Sequence, residues 1–307
     1  MPLVLSPMIK RIIDVSEAAY VRLKYHQLVI EKQSEIVGQV PIEDLGVLIL
    51  QHPAIVLTQQ LIVACQKNKV VIVFCDEKHL PYSLILPIGE GHTLHNKILK
   101  QQIAISEPTR KRLWQQIVQH KIKEQEQTLV MLHKESTRLS FLSTQVKTGD
   151  SGNCEAIAAQ AYWKLLFGKA FKRDTDLDGV NSLLNYGYAI IRAAVARSVC
   201  GAGLHPTIGL FHTNQYNALC LADDLMEPFR PWVDYVVYQM ASTNSEVNIN
   251  QQSKQALLGL MSEAVLYKKQ TMPFTVALHY LMADLKRCYS NGIKTLPYPL
   301  LLTRVPG

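Results

Sequence analysis

The sequence predicts an α+β fold, with a small β-rich domain over residues 1–90 followed by a larger all-α domain over residues 91–307. Three observations carry that prediction. Short apolar runs and period-two alternation fill the first 90 or so residues, spacings near 3.6 take over from about residue 94, and the Gly- and His-containing stretch "PIGEGHTLHN" at 87–96 separates the two regions.

Taken in order, "YVRLKYHQLVIEK" (20–32) alternates apolar and polar positions as a half-buried strand does. "EDLGVLILQ" (43–51) and "KVVIVFCD" (69–76) are short buried runs, and Gly38, Pro41 and "HLPYS" (79–83) mark turns. Between those runs, "TQQLIVACQKNK" (58–69) places Leu61, Ile62 and Cys65 on one side of a helix. From residue 95 to 136 the chain is rich in Gln, Lys and Leu with helical spacing, and Pro108 after Ser106 and Glu107 marks a helix start there. Apolar-faced segments follow at 154–168, 181–199, 217–226, 253–268 and 272–289, parted by Gly- or Pro-marked breaks. No internal repeat or low-complexity tract interrupts them.

Composition narrows the class. Hydrophobic residues make up 48% of the 307 and charged ones 19%, the profile of a folded chain and not a disordered one. Lys plus Arg exceed Asp plus Glu by 32 to 25, a net charge of +7 that favours an anionic partner such as nucleic acid. The six cysteines are scattered without a CxxC pair, and no apolar run approaches the roughly 20 residues that span a bilayer. With no signal-peptide pattern at the start, a soluble, cytoplasmic protein with reduced thiols is expected, without membrane contact.

Against this basic background, Asp223, Asp224 and Glu227 fall within five residues, with His212 upstream. On a helix over 217–227, Leu221, Ala222 and Leu225 form an apolar stripe, Asp224 and Glu227 share another face, and Pro228 ends or kinks the helix. Crowded carboxylates are tolerated beside a core when a cation neutralises them, and oxygen ligands with one imidazole suit Mn²⁺ as well as Mg²⁺. The same acids also fit a solvated face, paired with Arg230 and lysines. Glu155 opens a helix with small residues behind it, where it either complements the helix dipole or serves as a ligand at a rigid helix start. His205, before Pro206 in a Gly-rich turn, rivals His212 for the imidazole role but has no acid near it in sequence and reads as a loop residue. Tyr186 and Tyr188 fit the core of a helix better than stacking on a ligand.

The blocks "NCEAIAAQAYWKLLFG", "DGVNSLLNYGYAIIRAAVARSVCGAGLHPTIGLFH" and "LADDLMEPFRPWVD" resemble, in order and spacing, the signature blocks of the CRISPR adaptation integrases, the nuclease family that inserts new spacers. "PIEDLGVLIL" and "FCDEKHLPYSLILP" are similar to its N-terminal region, and "RLWQQIVQHKI" looks like the form in type II systems. The resemblance spans nearly the whole chain. It implies a metal-dependent DNA endonuclease and integrase that joins 3′ hydroxyl ends of short foreign duplexes to the CRISPR repeat, with Mg²⁺ or Mn²⁺ as cofactor. Position by position, Glu155, His212 and Glu227 match the catalytic metal ligands, and Asp224 an acidic position at or beside the metal. Asp223 has no such match.

The resemblance further implies a β-rich N-terminal dimerisation domain, an α-helical catalytic domain, and a double-stranded DNA partner. Two homodimers would flank one dimer of a small ferredoxin-like second adaptation protein, and the RNA-guided type II effector nuclease would help to choose spacers. Lys164, Lys169, Lys172, Arg173, Arg192, Arg197 and Arg230 are the candidates for DNA contacts, each also readable as a solvated surface charge. The competing expectation is a catalytically silent DNA-binding scaffold.

Overall fold

The computed structural model describes residues 10–89, 94–243, 247–291 and 295–302. Of the stretch expected to separate the domains, residues 90–93 lie outside the described residues. The N-terminal elements are β1 (Arg11–Val15), β2 (Tyr20–Lys24), β3 (Gln27–Lys32), β4 (Glu35–Pro41), β5 (Leu45–Leu50), β6 (Val56–Leu57), α1 (Gln59–Lys67), β7 (Val71–Cys75) and β8 (Pro81–Ile85). They build two four-stranded sheets, ordered β4-β3-β2-β6 and β1-β5-β7-β8.

The alternating segment at 20–32 becomes an antiparallel hairpin because Tyr25 and His26 adopt φ of 48° and 60°, the left-handed pair that a two-residue hairpin turn needs. In the second sheet β5 pairs in parallel with β1 and β7, which accounts for its unbroken apolar run. Leu48, Leu50 and Ile72 pack into an N-terminal core with Val21, Leu28 and Leu61. Their alternates Val47, Ile49, Val71 and Val73 face the other way and join the core of the helical region. One sheet is thus shared between two cores, because strand side chains alternate sides. Gly38 and Pro41, expected in turns, lie instead in β4, an edge strand where a proline costs no interior ladder bond. Likewise Pro81 to Ser83 of the expected turn begin β8, and the chain reverses at Asp76 to Leu80, where the Asp76 carboxylate accepts the amides of Lys78 and Leu80.

The helical region runs α2 (His95–Ile103), α3 (Glu107–Met131), α4 (Thr137–Gln145), α5 (Cys154–Phe167), α6 (Val180–Gly201), α7 (Cys220–Met226), α8 (Arg230–Thr243), α9 (Gln251–Gly259) and α10 (Phe274–Asn291). Ser106 caps α3 by accepting the Thr109 amide, with Pro108 in the first turn, as the sequence indicates. Gly187 on α6 lets α8 approach: a Cβ there would stand 2.4 Å from Val233 Cγ1. Tyr186 and Tyr188 are buried on α6.

The expectation of an all-α second region needs correction. Residues 253–268 are not one helical segment: α9 ends at Gly259, a 3₁₀ turn follows, and β9 (Ala264–Tyr267) pairs with β10 (Gln270–Pro273) and β11 (Leu300–Leu301). Lys268 and Lys269, at φ of 48° and 68°, make another two-residue hairpin turn. The period changes from 3.6 to 2 inside the run, and a reading of apolar content alone missed the change. The fold remains α+β, and no described helix is long and apolar enough to cross a membrane.

Candidate active site

Three elements meet at the acidic cluster: the middle of α3, the start of α5, and α7 with the loop before it. Asp150 prepares the α5 start, its carboxylate accepting the amides of Cys154 (2.9 Å) and Glu155 (3.0 Å). With those orphan amides satisfied, the Glu155 side chain is released from capping and reaches Lys121 of α3 at 2.6 Å.

On α7, Asp224 is fully buried and accepts the amides of Leu210 (2.6 Å), Phe211 (3.0 Å) and His212 (3.2 Å). It also takes a fourth bond, 2.6 Å, from His212 Nδ1. A carboxylate only accepts, so the proton sits on Nδ1 and the Nε2 lone pair is left for a ligand. Gly209 permits this wrapping: a Cβ there would lie 2.4 Å from the His212 carbonyl and 2.8 Å from Asp224 Oδ2. Phe211 stacks on buried Trp114 of α3 at 4.3 Å between centroids, with the His212 ring edge-on to both. The hydrogen bond to Asp224 raises the His212 pKa against a smaller opposing effect of burial.

The helix break at Pro228 is present. α7 stops at Met226, Glu227–Phe229 form a 3₁₀ turn, and α8 continues from Arg230. Glu227, 5% exposed, lies 2.6 Å from Lys121 Nζ through Oε2 and 2.8 Å from Arg230 Nε through Oε1. Burial would raise its pKa, but the charges of Arg230 and Lys121 outweigh burial and lower it to about 2. The same pairing keeps Lys121 protonated: burial works against its charge, and Glu227 and Glu155 more than compensate. Asp223 turns away to a two-oxygen grip by Arg192 (2.5 and 2.8 Å) and an Asn217 bond (2.7 Å). The acids therefore do pair with Arg230 and a lysine, yet in a mostly buried network and not on a solvated face.

The basic candidates divide. Arg173, Arg192 and Arg230 line one cleft of 310 Å³ with His212 and Asp223, and the guanidiniums of Arg173 and Arg230 lie over the Tyr188 ring. Lys164, Lys169 and Lys172 are exposed, Lys172 paired with Asp174. Arg197 is withdrawn as a DNA contact, because it is 8% exposed and donates to the Lys69 carbonyl at 2.6 Å, bracing α6 against the N-terminal region. His205 is an exposed loop residue, held through its backbone by Gln102. Lys121, Asp150 and Trp114 were not singled out from sequence, since a lysine in a Gln- and Lys-rich helix carries no local signal of a buried role.

Among the described residues, no three His, Cys, Asp or Glu side chains stand together as a metal centre. The expected cluster of Glu155, His212 and Glu227 is instead two pairs, Glu155 with Glu227 about the Lys121 ammonium and His212 with Asp224. The donor chemistry still suits Mg²⁺ or Mn²⁺. It offers two carboxylates and an imidazole whose far nitrogen is oriented by an acid, and Glu227 Oε2 is buried without a directed hydrogen bond despite its ion pair.

Residues 13–265 match the family described as CRISPR associated protein Cas1. The chain is 35% identical over 286 residues to the CRISPR-associated endonuclease Cas1 of Neisseria meningitidis serogroup C (strain 8013), covering 91% of this chain and 92% of that one. Among solved structures, a casposase bound to integration product is similar in fold, with TM-score 0.74, 17% identity, and 93% and 91% of the two chains covered. A chain of a Cas6-RT-Cas1–Cas2 complex matches at TM-score 0.74 and 18% identity, covering 94% of this chain and 36% of that one. The family match and the extent of the Neisseria likeness, over a chain whose His212 is oriented by Asp224 beside paired glutamates, establish that this chain belongs to the Cas1 family.

Proposed function

We propose that the chain is a divalent-metal-dependent DNA endonuclease and integrase of CRISPR adaptation. It would join the 3′ hydroxyl ends of short prespacer duplexes to the two strands of a CRISPR repeat. The observation that carries this reading is the Glu155–Glu227 pair, next to a cleft that three arginines and the oriented His212 line, in a Cas1-family chain. The names of the relatives support it: the Neisseria protein is called an endonuclease, and the casposase is bound to an integration product.

Glu155, Glu227 and His212 Nε2 are the residues that would hold Mg²⁺ or Mn²⁺. The bound cation supplies Lewis-acid polarisation of the scissile phosphate. Asp224 keeps the His212 proton on Nδ1, and Arg173, Arg192 and Arg230 present guanidinium donors to phosphate oxygens. In strand transfer the incoming 3′ oxygen forms a new P–O bond as the repeat strand's own 3′ oxygen leaves, so one phosphodiester replaces another. With water as nucleophile, the same exchange is hydrolysis.

The proposal includes double-stranded DNA as partner, with Lys164, Lys169 and Lys172 as outlying phosphate contacts. It also includes a homodimer formed through residues 1–90, and a small ferredoxin-like second adaptation protein of which one dimer joins two integrase dimers. The Cas1–Cas2 complex among the structural neighbours supports a partner of that kind. The block at 112–122 extends the reading to the type II branch, its RNA-guided effector and a cytoplasmic setting.

The test is transfer of a labelled short duplex into a supercoiled repeat-bearing plasmid with the partner protein, in Mn²⁺, Mg²⁺ and EDTA, for wild type and Glu227→Ala. Metal-dependent products that vanish in the variant are expected. No product in any metal, with DNA binding retained, would replace this reading with a silent scaffold.

A further inference from the structure

Lys121 projects from the middle of α3, and its Nζ stands 2.6 Å from Glu155 Oε1 and 2.6 Å from Glu227 Oε2. One ammonium thus joins carboxylates that come from separate elements. Arg230 on the far side of Glu227 completes a set of two positive and two negative side chains. The contact with Glu155 is a hydrogen bond, and the one with Glu227 is an ion pair of the same length in which the charge of Lys121 acts more strongly than its hydrogen bond. α3 itself is fixed nearby, with Trp232 Nε1 donating to Glu124 at 2.6 Å and Thr128 to the Pro231 carbonyl at 3.1 Å. The backbone at Lys121 is therefore rigid, and only its four-carbon stem is free to move.

A divalent cation held by the same two carboxylates would face this ammonium at ion-pair range, where like charges in a largely water-excluded site repel strongly. Without either cation, the two carboxylates would repel each other instead. We propose that Lys121 is a resident counterion that shares Glu155 and Glu227 with the divalent metal, so that metal binds by exchange with the ammonium and Lys121 sets its affinity. This inference rests on the reading of Glu155 and Glu227 as metal ligands. Its consequence is a site that keeps the start of α5 and the turn after α7 together without depending on metal, at the expense of weaker metal binding.

The experiment uses the full chain stripped with EDTA, as wild type, Lys121→Met, Lys121→Gln, Lys121→Arg and Glu155→Gln. Mn²⁺ binding is measured by calorimetry and by the spin-resonance signal of free Mn²⁺, with melting temperatures recorded alongside. Lys121→Met and Lys121→Gln are expected to bind Mn²⁺ about tenfold tighter or more, and to melt lower without Mn²⁺ while recovering with it. Lys121→Arg, which keeps the charge, stays at wild-type affinity or below. Mn²⁺ affinity that is unchanged or weaker in both neutral variants, with folding intact by circular dichroism, overturns the exchange. Loss of binding in Glu155→Gln alongside that result sinks the exchange alone, whereas Mn²⁺ binding indifferent to Glu155→Gln removes the ligand reading and the exchange together.

Discussion

Asp224 does more for the site by holding its neighbours than by any exposed chemistry. It accepts four hydrogen bonds, three from a loop backbone and one from His212, and none of its surface meets solvent. Asp224→Asn would place an amide N–H against those donors and is expected to cost about 2–4 kcal/mol, read by urea unfolding. The same change replaces the charged acceptor that raises His212 with a neutral amide, so the ring's pKa, followed by NMR, should fall. A raised histidine contributes stability that is fully present below its unfolded value and is lost as pH rises through the folded one, so wild type should lose more stability than Asp224→Asn across that window. Gly209→Ala attacks the same wrapping sterically. Its Cβ would sit 2.4 Å from the His212 carbonyl oxygen, inside any real contact, and a loss of about 2 kcal/mol or more is expected.

Between elements, α6 and α8 are joined by a buried polar contact near the site, in which Tyr188 donates its hydroxyl to Asp234. Burial pushes the Asp234 carboxyl up to about 7. The folded chain then holds a proton that the unfolded chain releases near pH 4, so this group makes stability fall as pH climbs from about 4 to about 7. Asp234→Asn should remove that decline and gain on the order of 1–3 kcal/mol at pH 8 relative to pH 5, seen by comparing denaturant midpoints of variant and wild type. A wild-type profile matching the variant's would mean that Asp234 is ionised when folded. The close approach that makes this contact depends on Gly187, which brings α8 onto α6.

Across the whole molecule, the shared sheet joins two cores. Lys254 of α9 donates to Gln51, which donates to Asp14, and Arg197 reaches the Lys69 carbonyl, so polar contacts also tie the β-rich region to the helices. The two arginine classes should separate experimentally. Arg197→Ala is expected to lower stability by about 2–3 kcal/mol and leave the salt dependence of DNA binding unchanged. Arg173→Ala, in the cleft, should weaken binding across sequences and reduce the slope of log affinity against log salt by about 0.9, besides the stability lost with its bonds to Asn181 and Asn185. Equal slopes for Arg173→Ala and wild type would take that residue out of the DNA path.

The sequence by itself determined the α+β class, the strands at 20–32, 45–50 and 71–75, the cap of α3 and the break at Pro228, because each is written in residues adjacent along the chain. Through the signature blocks it also marked the family and the acids with His212. Local pattern failed where the cause is distant or the period changes, as at Gly38 in β4 and at the β9–β10 hairpin. Only the tertiary structure decided how the charges are partnered. Arg197 left the surface, Asp224 was committed to His212 and its loop, Asp150 took over the helix start from Glu155, and Lys121 came to lie between two glutamates 34 and 106 residues further along the chain. The energy of a charge depends on what else is buried around it, and that is a property of three-dimensional packing which spacing along the chain does not encode.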